Sequence, residues 1–310
     1  VALKVLRQES LGNHEIVARF SREAFLLGQI RSDHVARVVD FVAGGAYGPV
    51  LVMELLEGPT LSDVLRSKAM SVEEAIDLGI DIASALRELH AASIIHRDVK
   101  PANIILRKQR EVHRAVFVDL GLSRLVPEHD QSDDERLTEI TSGDRALGTI
   151  EYMAPEQILS SHDVGTTADL YAVGAILFRA VAGQHAFGDT ARLDLVRSKL
   201  SLDAPRLHTG RTDRAAAGLE EVVARALARR VAERYETADE LLADLSLLRD
   251  VARRAALEVK YASRARAAAR LPIRPSVAPP AAPDYSFLRV AIAVLATAAA
   301  VAAAGSSALH

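Results

Sequence analysis

IIHRDVKPANIIL, residues Ile94 to Leu106, decides how the rest of the chain is read. An apolar pair leads into a polar turn carrying Asp98, Lys100 and Asn103, and a second apolar run follows. Pro101 lacks the amide hydrogen that a regular helix needs, so these side chains are presented from a loop pinned at both ends by buried residues. A carboxylate, an ammonium two residues on and an amide five residues on put an acceptor, a cation and a neutral oxygen ligand into one loop. That set suits a hydroxyl proton, a phosphate and a metal ion.

Upstream, the first sixty residues read as strand, helix, then strands: VALKVL from Val1, a helix over Glu15 to Ile30, then VARVVDFVAG and PVLVMELL as apolar β-type runs. From Leu61 to Leu248 the periodicity turns helical, interrupted by the short β-like runs NIIL and AVFVDL. A small strand-rich lobe therefore precedes a larger helical one, with Glu57 to Pro59 as the connector. The chain has 310 residues, 49% of them hydrophobic, enough for one large core or two moderate ones. A net charge of −3 gives no global pull toward nucleic acid, and no nucleic-acid partner is expected. With no cysteine present, disulfide frameworks, thiolate catalysis and cysteine zinc sites are excluded.

The central loop resembles the catalytic loop of the eukaryotic-like (Hanks-type) serine/threonine protein kinases, and companion stretches follow in that family's order. VDLG places Asp119 where the family has its magnesium-binding aspartate, with Leu120 in place of the commoner phenylalanine. GTIEYMAPEQ, Gly148 to Gln157, resembles the end of the activation loop and the start of the substrate platform. DLYAVGAILF, from Asp169, resembles the buried helix whose aspartate holds the catalytic-loop backbone. RYETADELLADL resembles the last helices, with Arg234 the implied partner of Glu156. The resemblance implies an α+β, two-lobe protein kinase fold: a partial N-lobe over 1–57, lacking its first strands, and a helical C-lobe over 58–250.

Lys4 gains a meaning in this frame. An ammonium at the centre of an apolar strand is costly unless an anion meets it. In the following helix Phe20, Glu23, Leu27 and Ile30 recur at three- and four-residue spacing, which turns Glu23 inward. Lys4 matches the family lysine that contacts the nucleotide α and β phosphates while paired to that glutamate, so a Lys4–Glu23 pair is expected. The family also has two strands and a glycine-rich loop before this lysine, where this chain begins at Val1 without an initiator methionine. A fragment of a longer reading frame is the expectation.

By the same resemblance, Asp98 accepts the proton of a serine or threonine hydroxyl and Lys100 neutralises the transferring phosphoryl group. Asn103 and Asp119 hold Mg2+, with Mn2+ as the alternative ion. Lys4, fixed by Glu23, positions ATP, Ala2 and Ile105 sandwich the adenine, and Met53 and Glu54 lie at the back of the pocket and the hinge. Thr149 bridges Asp98 and Lys100. Arg97 receives a phosphate from the activation loop, for which Thr138, Thr141 and Ser142 are the candidates.

After the C-lobe, 251–287 reads as an Arg- and Ala-rich helical stretch and then the proline-rich spacer LPIRPSVAPPAAPDY. Residues 288–307 are expected to form a single transmembrane helix, since no charge falls between Val290 and Leu309. Val290, Ile292, Val294, Leu295 and Val301 together favour insertion by roughly 1.5–3 kcal/mol. Basic residues including Arg253, Arg254, Lys260, Arg264 and Arg289 precede this run and none follows it. The kinase domain is thereby placed on the cytoplasmic side of a bacterial cell membrane. The implied partners are protein substrates, the lipid bilayer and a second copy of the chain in a homodimer. Two rivals remain: a catalytically impaired pseudokinase or membrane scaffold, and a small-molecule phosphotransferase, against which GTIEYMAPEQ argues because the family docks polypeptide there.

Overall fold

The computed structural model describes residues 1–6, 8–45, 47–109, 112–119, 150–159 and 164–269. Strand β1 (Ala2–Val5) lies beside β3 (Val50–Met53), and β3 lies beside β2 (Val38–Val42), giving an antiparallel sheet of order β1-β3-β2. The register pairs Lys4 with Leu51 and Ala2 with Met53. Alternation along β1 turns Ala2 and Lys4 inward and leaves Leu3 and Val5 exposed.

Helix α1 (His14–Gly28) packs on this sheet. Asn13 caps it, its side-chain oxygen accepting from the amides of Glu15 and Ile16. Ile16, Phe20, Ala24 and Leu27 form its buried stripe, and the Phe20 ring meets Phe41 of β2 at 6.3 Å between centroids.

Beyond Glu57 the chain becomes helical, as the periodicity predicts. Capping boxes open α2 (Leu61–Ser67), through Thr60 and Asp63, and α3 (Val72–Ala91), through Ser71 and Glu74. The antiparallel hairpin of β4 (Ile104–Gln109) and β5 (Val112–Phe117) follows, with Ile104 opposite Phe117. Then come the short α4 (Pro155–Leu159), α5 (Thr166–Ala182), α6 (Arg192–Ser201), α7 (Arg214–Ala226) and α8 (Ala238–Ala269). Helix α5 is buried nearly all round and packs on α3 and α7. At Gly174 of α5 a Cβ would stand 2.7 Å from the Ala226 Cβ, so glycine is what lets α5 and α7 approach.

Residues 1–257 form one compact unit and 258–310 a second. In the second, the described residues, 258–269, belong to α8, and their described side chains are exposed. Among the described residues no helix is long and apolar enough to cross a membrane. The expected span at 288–307, the proline-rich spacer, Thr138, Thr141, Ser142 and Thr149 all lie outside them.

The connector is held by backbone contact. Gly58 has φ +147°, and a Cβ there would sit 2.4 Å from the Leu106 carbonyl oxygen. The next residue, Pro59, accepts a hydrogen bond from the Leu106 amide at 3.0 Å. Gly58→Ala should therefore cost about 1–3 kcal/mol through backbone strain, read as a lower midpoint of thermal unfolding. Gly12→Ala, where an added Cβ meets nothing within 4 Å, should stay within about 0.5 kcal/mol of the parent.

Candidate active site

The loop before β4 is built around one buried carboxylate. Asp169, in the first turn of α5 and 1% exposed, accepts from the amides of His96 at 2.9 Å and Arg97 at 2.8 Å. Its Oδ2 also meets His90 Nε2, from the last turn of α3, at 2.9 Å. Arg97 has φ +59°, a left-handed conformation that a non-glycine residue holds only when its surroundings impose it. Gln157 of α4 completes the grip, its Nε2 donating to the Arg97 carbonyl at 3.0 Å.

The fixed backbone aims three side chains together. The Asn103 amide nitrogen donates to the Asp98 carbonyl at 2.9 Å and to Asp98 Oδ2 at 3.1 Å. Lys100 Nζ stands 2.9 Å from that same Oδ2. Pro101 to Asn103 form a single 3-10 turn, so the proline ends any regular helix as expected. His96 packs beneath, its ring 4.8 Å from that of Phe117, and burial lowers its pKa, which keeps it neutral.

Asp119 is delivered by β5, where the Val118 amide bonds the Asn103 carbonyl at 3.0 Å. Its carboxylate is 45% exposed and ion-paired with Lys4 Nζ. The expected Lys4–Glu23 pair is not made. Glu23 is half-buried, and burial raises its pKa to about 7, with Arg97, Arg19 and Lys4 opposing from a distance. Lys4 pairs instead with the half-exposed Asp119 carboxylate. The cation expected to serve phosphate and the carboxylate expected to serve metal thus stand side by side.

The remaining residues fall where the strands put them. Ala2 and Met53 are cross-strand partners, and Ile105 of β4 bridges to Thr60. Glu54 accepts from the Arg37 amide at 2.9 Å and donates its own amide to the Arg37 carbonyl at 2.9 Å, which ties the chain entering β2 to the chain leaving β3. Arg234 forms a two-pronged bond with Glu156, at 2.7 and 2.8 Å, and its guanidinium lies over the Tyr171 ring. Among the described residues no group of three or more His, Asp or Glu side chains is placed to hold a metal. An amide oxygen and a carboxylate, Asn103 and Asp119, nonetheless suit Mg2+, which keeps water and phosphate oxygens for its other positions. The Asn103 nitrogen is committed to Asp98, so its oxygen is the end available to a cation.

Sequence reasoning missed His90 and Gln157 as supports of the loop, and it missed Lys199 and Arg179 beneath the segment 150–154. His90 falls a long way along the chain from Asp169, and no spacing joins them. Lys199 was findable, because Leu195, Val196 and Lys199 share one helical face.

Glu23 supplies a pH test. Its folded pKa of about 7 lies above the ordinary 4.5, so the folded state holds the proton longer than the unfolded one. Its contribution to stability therefore falls as pH rises through that window and is least favourable above pH 7. Glu23→Gln should gain stability over the parent at pH 8 and not at pH 4, read by urea unfolding. A loss at pH 8 would mean that a cation holds Glu23 in solution.

A protein kinase domain model matches residues 1–245. The chain is similar to the serine/threonine-protein kinase pkn2 of Myxococcus xanthus, 33% identical over 78% of this chain and 28% of that protein. It is 32% identical to the serine/threonine-protein kinase PknB of Mycobacterium tuberculosis, over 79% of this chain and 38% of that one. A probable serine/threonine-protein kinase of Clostridium perfringens is 31% identical over 80% of this chain and 34% of its own length. The chain spans about a third of the length of these relatives. It belongs to the protein kinase domain family.

Proposed function

We propose that this chain carries out ATP-dependent phosphorylation of serine and threonine hydroxyls on proteins, including its own segment between Asp119 and Ile150. One observation carries the reading: the Asp98 carboxylate is held by Asn103 and Lys100 on a backbone fixed by Asp169, with Asp119 delivered beside Asn103. The relatives' names, all serine/threonine-protein kinases, support a polypeptide hydroxyl as acceptor.

In this mechanism Asp98 orients the acceptor hydroxyl and takes its proton as the oxygen bonds to the γ-phosphorus and the bond to ADP breaks. Lys100 offsets charge on the transferred group from beside the same carboxylate. Lys4 steadies the α and β phosphates, and Ala2, Ile105, Met53 and Glu54 form the adenine side of the pocket. Asn103 and Asp119 would hold Mg2+ or Mn2+, which supplies neutralisation of phosphate charge when bound. In this reading Thr149 is the residue that bridges Asp98 and Lys100, and Arg97 receives a phosphate from Thr138, Thr141 or Ser142.

The proposal extends to location. Residues 288–307 form a single transmembrane helix in a bacterial cell membrane, with the kinase domain cytoplasmic. The charge-free run from Val290 to Leu309 and the basic residues before it support this. A second reading, a catalytically impaired pseudokinase or membrane scaffold, is favoured by the ion pair of Lys4 with Asp119 and not with Glu23.

Incubation of the full-length protein with ATP and Mg2+ separates the two. The kinase reading expects label that Asp98→Asn lowers about 10²- to 10⁴-fold, with mass spectrometry finding phosphate at Thr138, Thr141 or Ser142. Magnesium-dependent ATP binding without label in the parent would favour the scaffold. An active protein unmodified at all three positions would overturn their assignment.

A further inference from the structure

Helix α6 buries a lysine where its packing face calls for an apolar residue. Lys199 shares that face with Leu195 and Val196 and is 1% exposed. Its ammonium donates to the carbonyls of Glu151 at 2.9 Å and Met153 at 2.8 Å. It also stands 3.5 Å from the Tyr171 hydroxyl and lies over the rings of Tyr171 and Phe187. All of these partners are neutral. Burial pushes the Lys199 pKa down to about 7, which shows how costly the charge is in this place. A methionine would fill the same volume without that cost.

What the ammonium does is hold backbone. It grips the carbonyls on either side of Tyr152, while the Tyr152 hydroxyl accepts from Arg179 Nη1 of α5 at 2.7 Å. Arg179 in turn faces His185 Nε2 at 2.9 Å, and burial lowers the pKa of His185 to about 4, leaving it a neutral acceptor. Three successive residues, Glu151, Tyr152 and Met153, are thus pulled from below by two cations. The next amide, of Ala154, donates to Gln157 Oε1 at 3.0 Å, and Gln157 holds the Arg97 carbonyl beside Asp98. The contacts run without a break from Lys199 to the catalytic loop and touch no nucleotide-side residue.

We propose that Lys199 is a positioning residue for the polypeptide substrate. By fixing the backbone of 151–153 it sets where an acceptor peptide lies relative to Asp98. This rests on the protein kinase reading above.

The test compares the full-length protein with Lys199→Met, using a serine-containing peptide that the parent phosphorylates and Asp98→Asn does not. That comparison of parent with Asp98→Asn tests the kinase reading by itself. For Lys199→Met we expect peptide KM to rise about tenfold or more, ATP KM to stay within twofold, and the melting temperature to hold or rise. An unchanged peptide KM overturns the proposal. So does a fall in kcat and melting temperature with no selective change in peptide KM, which is what a merely structural lysine would give. Lys199→Arg, which keeps a donor to the two carbonyls, should recover part of the lost peptide affinity, and equal loss in both variants also counts against the proposal.

Discussion

The carboxylate of Asp169 is the charge on which the site hangs. It lies inside the helical core, where an unpaired anion would be prohibitively expensive, and it is matched by two backbone amides and His90. Each hydrogen bond to a charged group contributes about 1.5–3 kcal/mol, and a left-handed residue costs about 1–3 kcal/mol. The two amide bonds together outweigh the strain at Arg97. Arg97 is therefore held in a conformation that it would not adopt alone, and that conformation points Asp98 toward Asn103 and Lys100.

The other buried charges serve the same end by fixing register. Asp81 of α3 accepts from the Ala115 amide at 3.0 Å and from Arg114 Nη1 at 2.8 Å, locking the β4–β5 hairpin onto the helix beneath it. The open end of that hairpin brings Asn103, just before β4, beside Asp119, just after β5. Arg234, with Glu156 and the carbonyls of Ala228 and Arg229, joins the last helices to α4 in the same way. Apolar packing would have been cheaper at each place, but an apolar contact slides and a directed one does not.

How much of this was legible in the sequence depends on how local the cause is. The polar turn between apolar runs, the proline inside it and the strand-to-helix change at Gly58 are local, and the structure agrees with them. Helical periodicity identifies a face but not the partner across from it. It brought Glu23 to the edge of the buried stripe of α1, yet it could not say that Asp119, arriving from β5, would take Lys4 first. The same arithmetic puts Lys199 on the inner face of α6, but its partners lie 46 to 48 residues away in sequence and no pattern names them. Glu156 and Arg234, 78 residues apart, were matched through family resemblance and not through spacing.

The most direct test of this architecture is Asp169→Asn, read by two assays on one preparation: phosphoryl transfer to peptide, and equilibrium binding of a fluorescent ATP analogue. An amide in place of the carboxylate removes the charge that holds the His96 and Arg97 amides, while leaving the strands that carry Lys4, Met53 and Glu54 untouched. Loss of transfer by 10-fold or more with nucleotide affinity kept within about threefold is the expected result, since lost charged hydrogen bonds of this kind amount to more than 1.4 kcal/mol. Transfer at the parental rate would contradict it, and would mean that the catalytic loop keeps its shape without the buried carboxylate.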